Sequence, residues 1–390
     1  MADENTPNQS QQHPEQQLRA LRDAIDSVDT QLVDLIAQRA AITAQVGAVK
    51  RELKQPLYVP SREQALIQGR RDYAEAKGLS ADLIEDVLRR IIRESYRTQT
   101  MQATSTSKTL ERPVVIVGGA GRLGQLMGKL FANTGYCVEV IDKHDSFTAE
   151  LAQKAQAVIV SVPVNQTVAA INALPKLADD CVLADVTSVK SAPLQAMLEQ
   201  HQGPVVGLHP MFGPSVHNLA KQLVVVTPGR DDAQCQWLIE QFVNWGAHIE
   251  TLSAEDHDKA MGWVQAMRHL STFSYGLHMA EENADIEALL QVSSPIYRME
   301  LMMVGRLFAQ NAELYADIIM ANHQQFPTIA RYLERFSEAL KQLQQGDKQR
   351  FIEQFEEVKR YFGEYAEQFL DESEGMVQLA DDQRFRQQPD

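Results

Sequence analysis

The sequence predicts three folded parts in succession: an all-α N-terminal module, an α/β domain built on a parallel sheet, and an all-α C-terminal dimerisation domain. Three observations carry this. Apolar residues spaced alternately three and four apart run through the first fifty positions, the period of a helix seam. A short apolar run, Pro113-Val-Val-Ile-Val117, then enters Gly119-x-Gly121-x-x-Gly124, in the order strand, turn, helix. From about Glu255 to Phe385 the pattern is helical throughout, broken at Ser293-Ser294-Pro295, Pro327 and Gly346. At 390 residues the chain is too long for one core. The expected division is a disordered tail over 1–14, a helical module over 15–100, a linker over 101–112, the α/β domain over 113–254 and the last helical domain over 255–385.

The bulk numbers exclude several classes. A net charge of −15 argues against a nucleic-acid partner, whose phosphates need a basic surface. Cys137, Cys181 and Cys235 are too few and too scattered for a disulfide framework or a zinc site, and no metal is expected. Met1 to Gln17 is polar and lacks the apolar core of a signal peptide. No apolar run approaches the ~20 residues of a membrane span. A cytoplasmic enzyme fits these limits.

The first helix runs from about Glu15 to Leu53, with no proline and Gly47 its only glycine. Its seam reads Leu18, Leu21, Ile25, Val28, Leu32 and Leu35, then Ile42, Val46 and Val49. At ~1.5 Å per residue the rod is roughly 55 Å long, more than two shorter helices of one chain can cover. A second copy is the expected remainder. One seam position, Arg39, carries a charge where a leucine would pack. Burial of that cation requires a partner, either a fixed carboxylate or a ligand. Arg22 and Lys50 flank the seam ~42 Å apart on one straight helix, so both can hold one small molecule only if they come from different chains. A second helix starts after Pro60, with Ser61 and Gln64 in a capping-box pattern that puts Arg62 and Glu63 in its first turn. Gly78 ends it and Ser80 caps a third, whose stripe Ile84, Leu88, Ile91 turns polar at Ser95 and Gln99.

Leu21-Arg22-Asp23, Ala37-Gln38-Arg39, Val46-Gly47-Ala48-Val49-Lys50, Arg62-Glu63 and Ser95 with Gln99 resemble the all-helical chorismate mutases over Leu18 to Gln99. The resemblance implies a dimer in which Arg22 of one subunit joins Arg39 and Arg62 of the other on the two substrate carboxylates. It implies that Lys50 and Gln99 face the ether oxygen, Glu63 the ring hydroxyl, and that Ser95 lines the site. Val59 stands where some members of that family have an aspartate. Chorismate to prephenate is an intramolecular rearrangement. It needs a substrate held in its reactive shape and charge stabilised on the breaking ether oxygen, which positioned cations and an amide supply.

The glycine motif gains weight from its surroundings. A helix follows from about Arg122, and a second strand, Cys137 to Ile141, ends at Asp142. This is the pattern of a Rossmann-like fold, with pyrophosphate at the helix N-terminus over Gly119, Gly121, Arg122, Leu123 and Gly124. Asp142 would accept from the adenine ribose hydroxyls, which favours NAD; Lys143 and His144 beside it could suit a 2′-phosphate. Further strands, Ala157 to Val162, Val182 to Val186, Val205 to Leu208 and Leu223 to Thr227, bring Ser188, Lys190 and His209 to the carboxyl ends of strands, where ligands bind.

His209-Pro210-Met211-Phe212-Gly213-Pro214, with Ser188-Val189-Lys190, Met267-Arg268-His269 and Ser294-Pro295-Ile296-Tyr297-Arg298, is similar to the prephenate dehydrogenases from about Arg112 onward. The whole chain thus resembles a chorismate mutase fused to a prephenate dehydrogenase, acting in tyrosine biosynthesis. That implies His209 as the proton acceptor while hydride leaves for NAD, with loss of carbon dioxide completing the ring. A histidine suits the task at cellular pH. Arg298 and Arg306 lie a little over two turns apart and roughly 80° different in direction, so one carboxylate does not easily meet both. The resemblance favours Arg306 as the carboxylate ligand. Gln265 and His269, four apart, should share a helix face, with His269 toward substrate. Lys190 would orient substrate near the nicotinamide. Feedback by tyrosine is implied by the resemblance alone. Two other readings stay open: a dehydrogenase for arogenate or another hydroxy acid with the N-terminal module serving only to dimerise, and a nucleotide-sensing regulator without turnover.

Overall fold

Residues 14–53, 55–101 and 110–384 are described by the computed structural model. Unbroken seam spacing gives α1 (Pro14–Glu52), followed by α2 (Pro60–Glu75) and α3 (Ala81–Met101). Only the second half of α1 packs, mainly against α3. From residue 14 to residue 38 every position is exposed. Among the described residues α1 is also the one helix long and apolar enough to cross a membrane, so the expectation that no run approaches that length does not hold for it. Its apolar residues nonetheless form a seam, which suits a protein partner better than lipid. The capping box at Ser61 does not form. Val59 is the N-cap, with no side-chain hydrogen bond, and Pro60 takes the first helical position, where its missing N–H costs nothing. Ser80 does cap, accepting from the Leu83 N–H.

The α/β domain holds seven strands: β1 (Leu110–Val117), β2 (Tyr136–Ile141), β3 (Ala157–Val160), β4 (Val182–Asp185), β5 (Val205–Pro210), β6 (Leu223–Arg230) and β7 (His248–Thr251). Helices α4 (Arg122–Asn133), α5 (Ala149–Lys154), α6 (Thr167–Asn172), α7 (Ser191–Gln200) and α8 (Asp232–Asn244) cover it. The spatial order is β2-β1-β3-β4-β5-β6-β7. β1 begins at Leu110, inside the expected linker, most of which lies outside the described residues. Alternation along β1 sorts the core. Val114 and Ile116 join Phe131 and Trp245 on one face, and Val115 joins Ile171 and Met197 on the other.

Two features depart from the sequence reading. β6 runs antiparallel to β5 while every other pair is parallel. A parallel neighbour needs a long crossover, usually a helix, and the segment 211–222 has none. β7 is an additional strand at the edge; its short, mostly exposed His-Ile-Glu-Thr offers no apolar run to read.

The C-terminal region is helical: α9 (Ala254–Met261), a π-helical turn Gly262–Met267, α10 (Arg268–Glu281), α11 (Ile286–Gln291), α12 (Pro295–Phe308), α13 (Ala312–Ala321), α14 (Phe326–Gln344), α15 (Lys348–Phe362) and α16 (Glu364–Arg384). Ser294 caps α12 ahead of Pro295, and Gly346, with φ of +77°, separates α14 from α15. Leu333, Phe336, Leu340, Phe355, Tyr361 and Phe369 stay exposed along these last helices.

Candidate active sites

β1 has β2 on one side and β3 on the other, so the carboxyl end of β1 opens a crevice, and the glycine loop lies there. The tight turn falls at Gly118, one residue before the motif, with φ of +81°. The Gly118 N–H donates to the Ile141 carbonyl at 2.7 Å, which ties the loop to the end of β2. Gly124 answers a different need: a Cβ there would stand 2.6 Å from the Gly119 Cα, so α4 approaches the loop only as glycine. No side chain caps α4 at Gly121, and its first N–H groups face the loop. Leu123 packs on the core and Arg122 is exposed. Asp142 stands just past β2, one oxygen accepting from the Ala120 N–H at 3.3 Å. A cradle that excludes side chains, backs onto a helix N-terminus and ends in a carboxylate fits a dinucleotide.

Three strands along the sheet from β1, β5 delivers His209, which is 4% exposed. Its Nδ1 lies 2.8 Å from His257 Nε2, and His257 Nδ1 lies 2.8 Å from Asp258 Oδ1. Asp258 also accepts from the backbone N–H groups of Lys190 at 2.7 Å and Ser191 at 2.9 Å. Burial opposes ionisation of Asp258, but these hydrogen bonds outweigh it and hold the carboxyl at about 2. An ionised Asp258 only accepts, so His257 Nδ1 donates to it. His257 Nε2 then accepts from His209 Nδ1–H. The lone pair of His209 is thereby left on Nε2, 3.3 Å from Gln265 Nε2. Burial first, and then the nearby Lys190 ammonium, lower the His209 pKa well below the ordinary histidine value. The ring is a neutral base with its acceptor nitrogen fixed.

The helical module collects a separate cluster. Arg39 Nη1 donates to Ser95 Oγ at 2.7 Å, and Ser95 Oγ donates to the Ile91 carbonyl at 2.9 Å. Ser95 is buried, so at this position the α3 stripe faces the interior. Glu63, also buried, accepts from the Tyr96 hydroxyl at 2.8 Å and pairs with Lys221 of the α/β domain. Lys50 Nζ donates to the carbonyls of Pro56 at 3.2 Å and Leu57 at 3.0 Å, which draws it to the α1–α2 loop. Burial lowers the pKa of both Arg39 and Lys50. Arg22 and Arg62 are exposed. Arg22 stands roughly 26 Å from Arg39 along α1, out of reach of its own chain's cluster. The side chain of Gln99 lies outside the described residues.

Comparison with known proteins gives each cluster a family. Residues 21–100 match the family model of chorismate mutase type II, 129–251 that of the prephenate dehydrogenase nucleotide-binding domain, and 253–357 that of its dimerization domain. A T-protein of Enterobacter agglomerans is 51% identical over 369 residues, 94% of this chain and 99% of that one. A T-protein of Haemophilus influenzae is 47% identical over 367 residues, 94% of this chain and 97% of its own. The chain belongs to the T-protein family. It is a bifunctional enzyme of tyrosine biosynthesis, a chorismate mutase and an NAD-dependent prephenate dehydrogenase. Among solved structures, prephenate dehydrogenase from A. aeolicus in complex with hydroxyphenyl propionate and NAD+ aligns with a TM-score of 0.51 at 18% identity. That alignment covers 66% of this chain and 98% of the other, and it shows the shared fold.

Within this T-protein fold, several expected site residues stand differently from the sequence reading. Lys190 does not open onto the crevice. It is fully buried, its ammonium bonded to Asp185 and, at 2.7 Å, to the Leu208 carbonyl. Gln265 and His269 do not follow one α-helical face, because the π turn Gly262–Met267 intervenes. Gln265 reaches His209, while the His269 ring meets Tyr315 edge-on at 4.8 Å with its Nδ1 buried and unpartnered. Burial, then Arg268, lowers the His269 pKa to about 4. Ser188 and Arg298 are half-buried and Arg306 is exposed in the last turn of α12. Among the described residues no hydrogen bond links these three to the histidine pair. Sequence reasoning missed His257 and Asp258, although an adjacent His-Asp pair at a capped helix start was a usable signal. It missed Tyr96, next to Ser95, and Lys221, whose place depends on how the domains dock.

Proposed function

We propose that His209 Nε2 accepts the ring-hydroxyl proton of prephenate, with His257 and Asp258 holding its tautomer. Bound NAD supplies the acceptor for the hydride leaving the carbinol carbon. The glycine loop and α4 would hold its pyrophosphate and Asp142 its ribose. Arg306 pairs with a substrate carboxylate, as arginine does best. Ser188 and His269 line the substrate side, and Arg298 has a secondary or structural part. Lys190 acts from beneath the site: its buried charge helps keep His209 neutral. As the proton goes to His209 and hydride departs, carbon dioxide leaves and the ring becomes aromatic.

In the mutase half, Arg39 and Arg62 hold the carboxylates with Arg22 from a second copy, Lys50 and Gln99 face the ether oxygen, and Glu63 takes the ring hydroxyl. The exposed first half of α1 supports a dimer that completes this pocket. Three free thiols suit a cytoplasmic enzyme, and tyrosine would act on it as a feedback inhibitor.

The observation that carries the reading is the Asp258–His257–His209 chain, which leaves one nitrogen of a neutral imidazole as acceptor at a strand end. Supplying chorismate tests it. Without NAD, prephenate should accumulate; with NAD, 4-hydroxyphenylpyruvate and one equivalent of NADH should form. Turnover of arogenate in preference to prephenate would contradict it.

A further inference from the structure

We propose that Lys221, carried by the dinucleotide domain at the turn into β6, is a positioning residue of the mutase site. The proposal rests on the reading of Glu63 as the ring-hydroxyl partner. A carboxylate whose side chain is 6% exposed requires compensation. The helical module offers little of it. Tyr96 donates one hydrogen bond, and Arg89 stands 3.7 Å away while its guanidinium is engaged by Glu85 at 2.5 Å. Among the described residues the close cation is Lys221, from the other domain.

Its delivery is built into the fold. Lys221 has φ of +63°, a left-handed conformation unusual for a side-chain-bearing residue. Its N–H donates to the Gly246 carbonyl at 3.1 Å. A Cβ on Gly246, itself at φ of +97°, would stand 3.0 Å from the Ala220 Cα, so the backbones approach closely there. Ala220 is in turn buried in one apolar cluster with Ile67, Ile92 and Tyr96 of the helical module. The Leu57 N–H closes the junction on the Asn244 carbonyl at 3.2 Å. Tyr58 lies under the ammonium, its ring centre 5.5 Å from Nζ, and meets Tyr96 edge-on at 5.9 Å. The lysine therefore reaches Glu63 from a fixed direction.

The consequence is chemical. Lys221 takes one oxygen of Glu63 and Tyr96 the other, which orients the carboxylate and leaves lone pairs to accept from a hydroxyl. The dehydrogenase domain thereby sets the geometry of a group in the mutase pocket, and the two activities are physically linked.

The test uses the full-length protein, with chorismate rearrangement assayed without NAD and prephenate oxidation assayed on the same preparation as a measure of folding. Glu63→Gln should lower mutase kcat/KM. Lys221→Met should lower it about tenfold or more, mainly in kcat, with oxidation unchanged. Lys221→Arg should recover most of the loss, and Glu63→Gln/Lys221→Met should be no worse than Glu63→Gln. Loss in Glu63→Gln but none in Lys221→Met would overturn the proposal while leaving the reading of Glu63 intact. So would equal loss of both activities, or losses that multiply in the double variant. A fully active Glu63→Gln would remove the reading of Glu63 and the proposal with it.

Discussion

The central sheet buries Val114, Val158, Leu183 and Leu208 completely, whereas Leu21, Ile25 and Val28 on α1 are 56%, 59% and 62% exposed. Both stretches are apolar and both are regular in their spacing. One finds its partners within the chain and the other does not. The two candidate site clusters divide in the same way. His209, His257, Asp258 and Gln265 are already in mutual contact, while Arg22 is stranded at the far end of a rod. An apolar side chain of this size contributes about 1.5–3 kcal/mol on full burial. A second copy laid along α1 would recover that contribution many times over and bring its own Arg22. On the proposed reading, a seam longer than its own domain calls for a partner, and a cation beside such a seam calls for a shared pocket.

The largest effects should come from the two clusters taken separately. His209→Asn should lower prephenate oxidation by about 10²–10⁴-fold, the range for loss of a general base, and leave the rearrangement intact. Lys50→Ala should do the reverse, lowering the rearrangement by about 10²–10³-fold while sparing oxidation. A single substitution that silenced both activities in a folded dimer would break the comparison.

A smaller effect lies in stability. The folded-state pKa of His269 is lowered to about 4, so between the ordinary value of 6.5 and 4 the unfolded chain binds the proton that the folded chain refuses. Stability should fall as pH drops through that window and its dependence on this group should end near pH 4. His269→Gln should flatten the slope of melting temperature against pH. An unchanged slope would place the ring in water.

Much of this was legible because it depends on local spacing. The α1 seam, the glycine loop and the Pro295 helix start are all written in short runs, and each forms where expected. Arg39 declared itself as a charge in an apolar series. Lys190 misled because a strand-end position says nothing about depth: Asp185, five residues earlier, draws its ammonium under the sheet. The π turn was hidden because inserting one extra residue per turn leaves the apolar pattern almost intact. β7 had too few apolar residues to register. Lys221 was unreadable for a different reason, since its partner Glu63 lies far away in the chain and only domain docking unites them.

Mixing two inactive proteins tests the shared pocket most directly. Arg22→Ala and Lys50→Ala homodimers should each be nearly inactive as mutases. Unfolded together and refolded, they should form mixed dimers in which one of two pockets has both native residues, restoring about a quarter of native activity for random pairing. Recovery near that level is the expected result. Mixed dimers that form but show no mutase activity above the parents would contradict a pocket built from two chains.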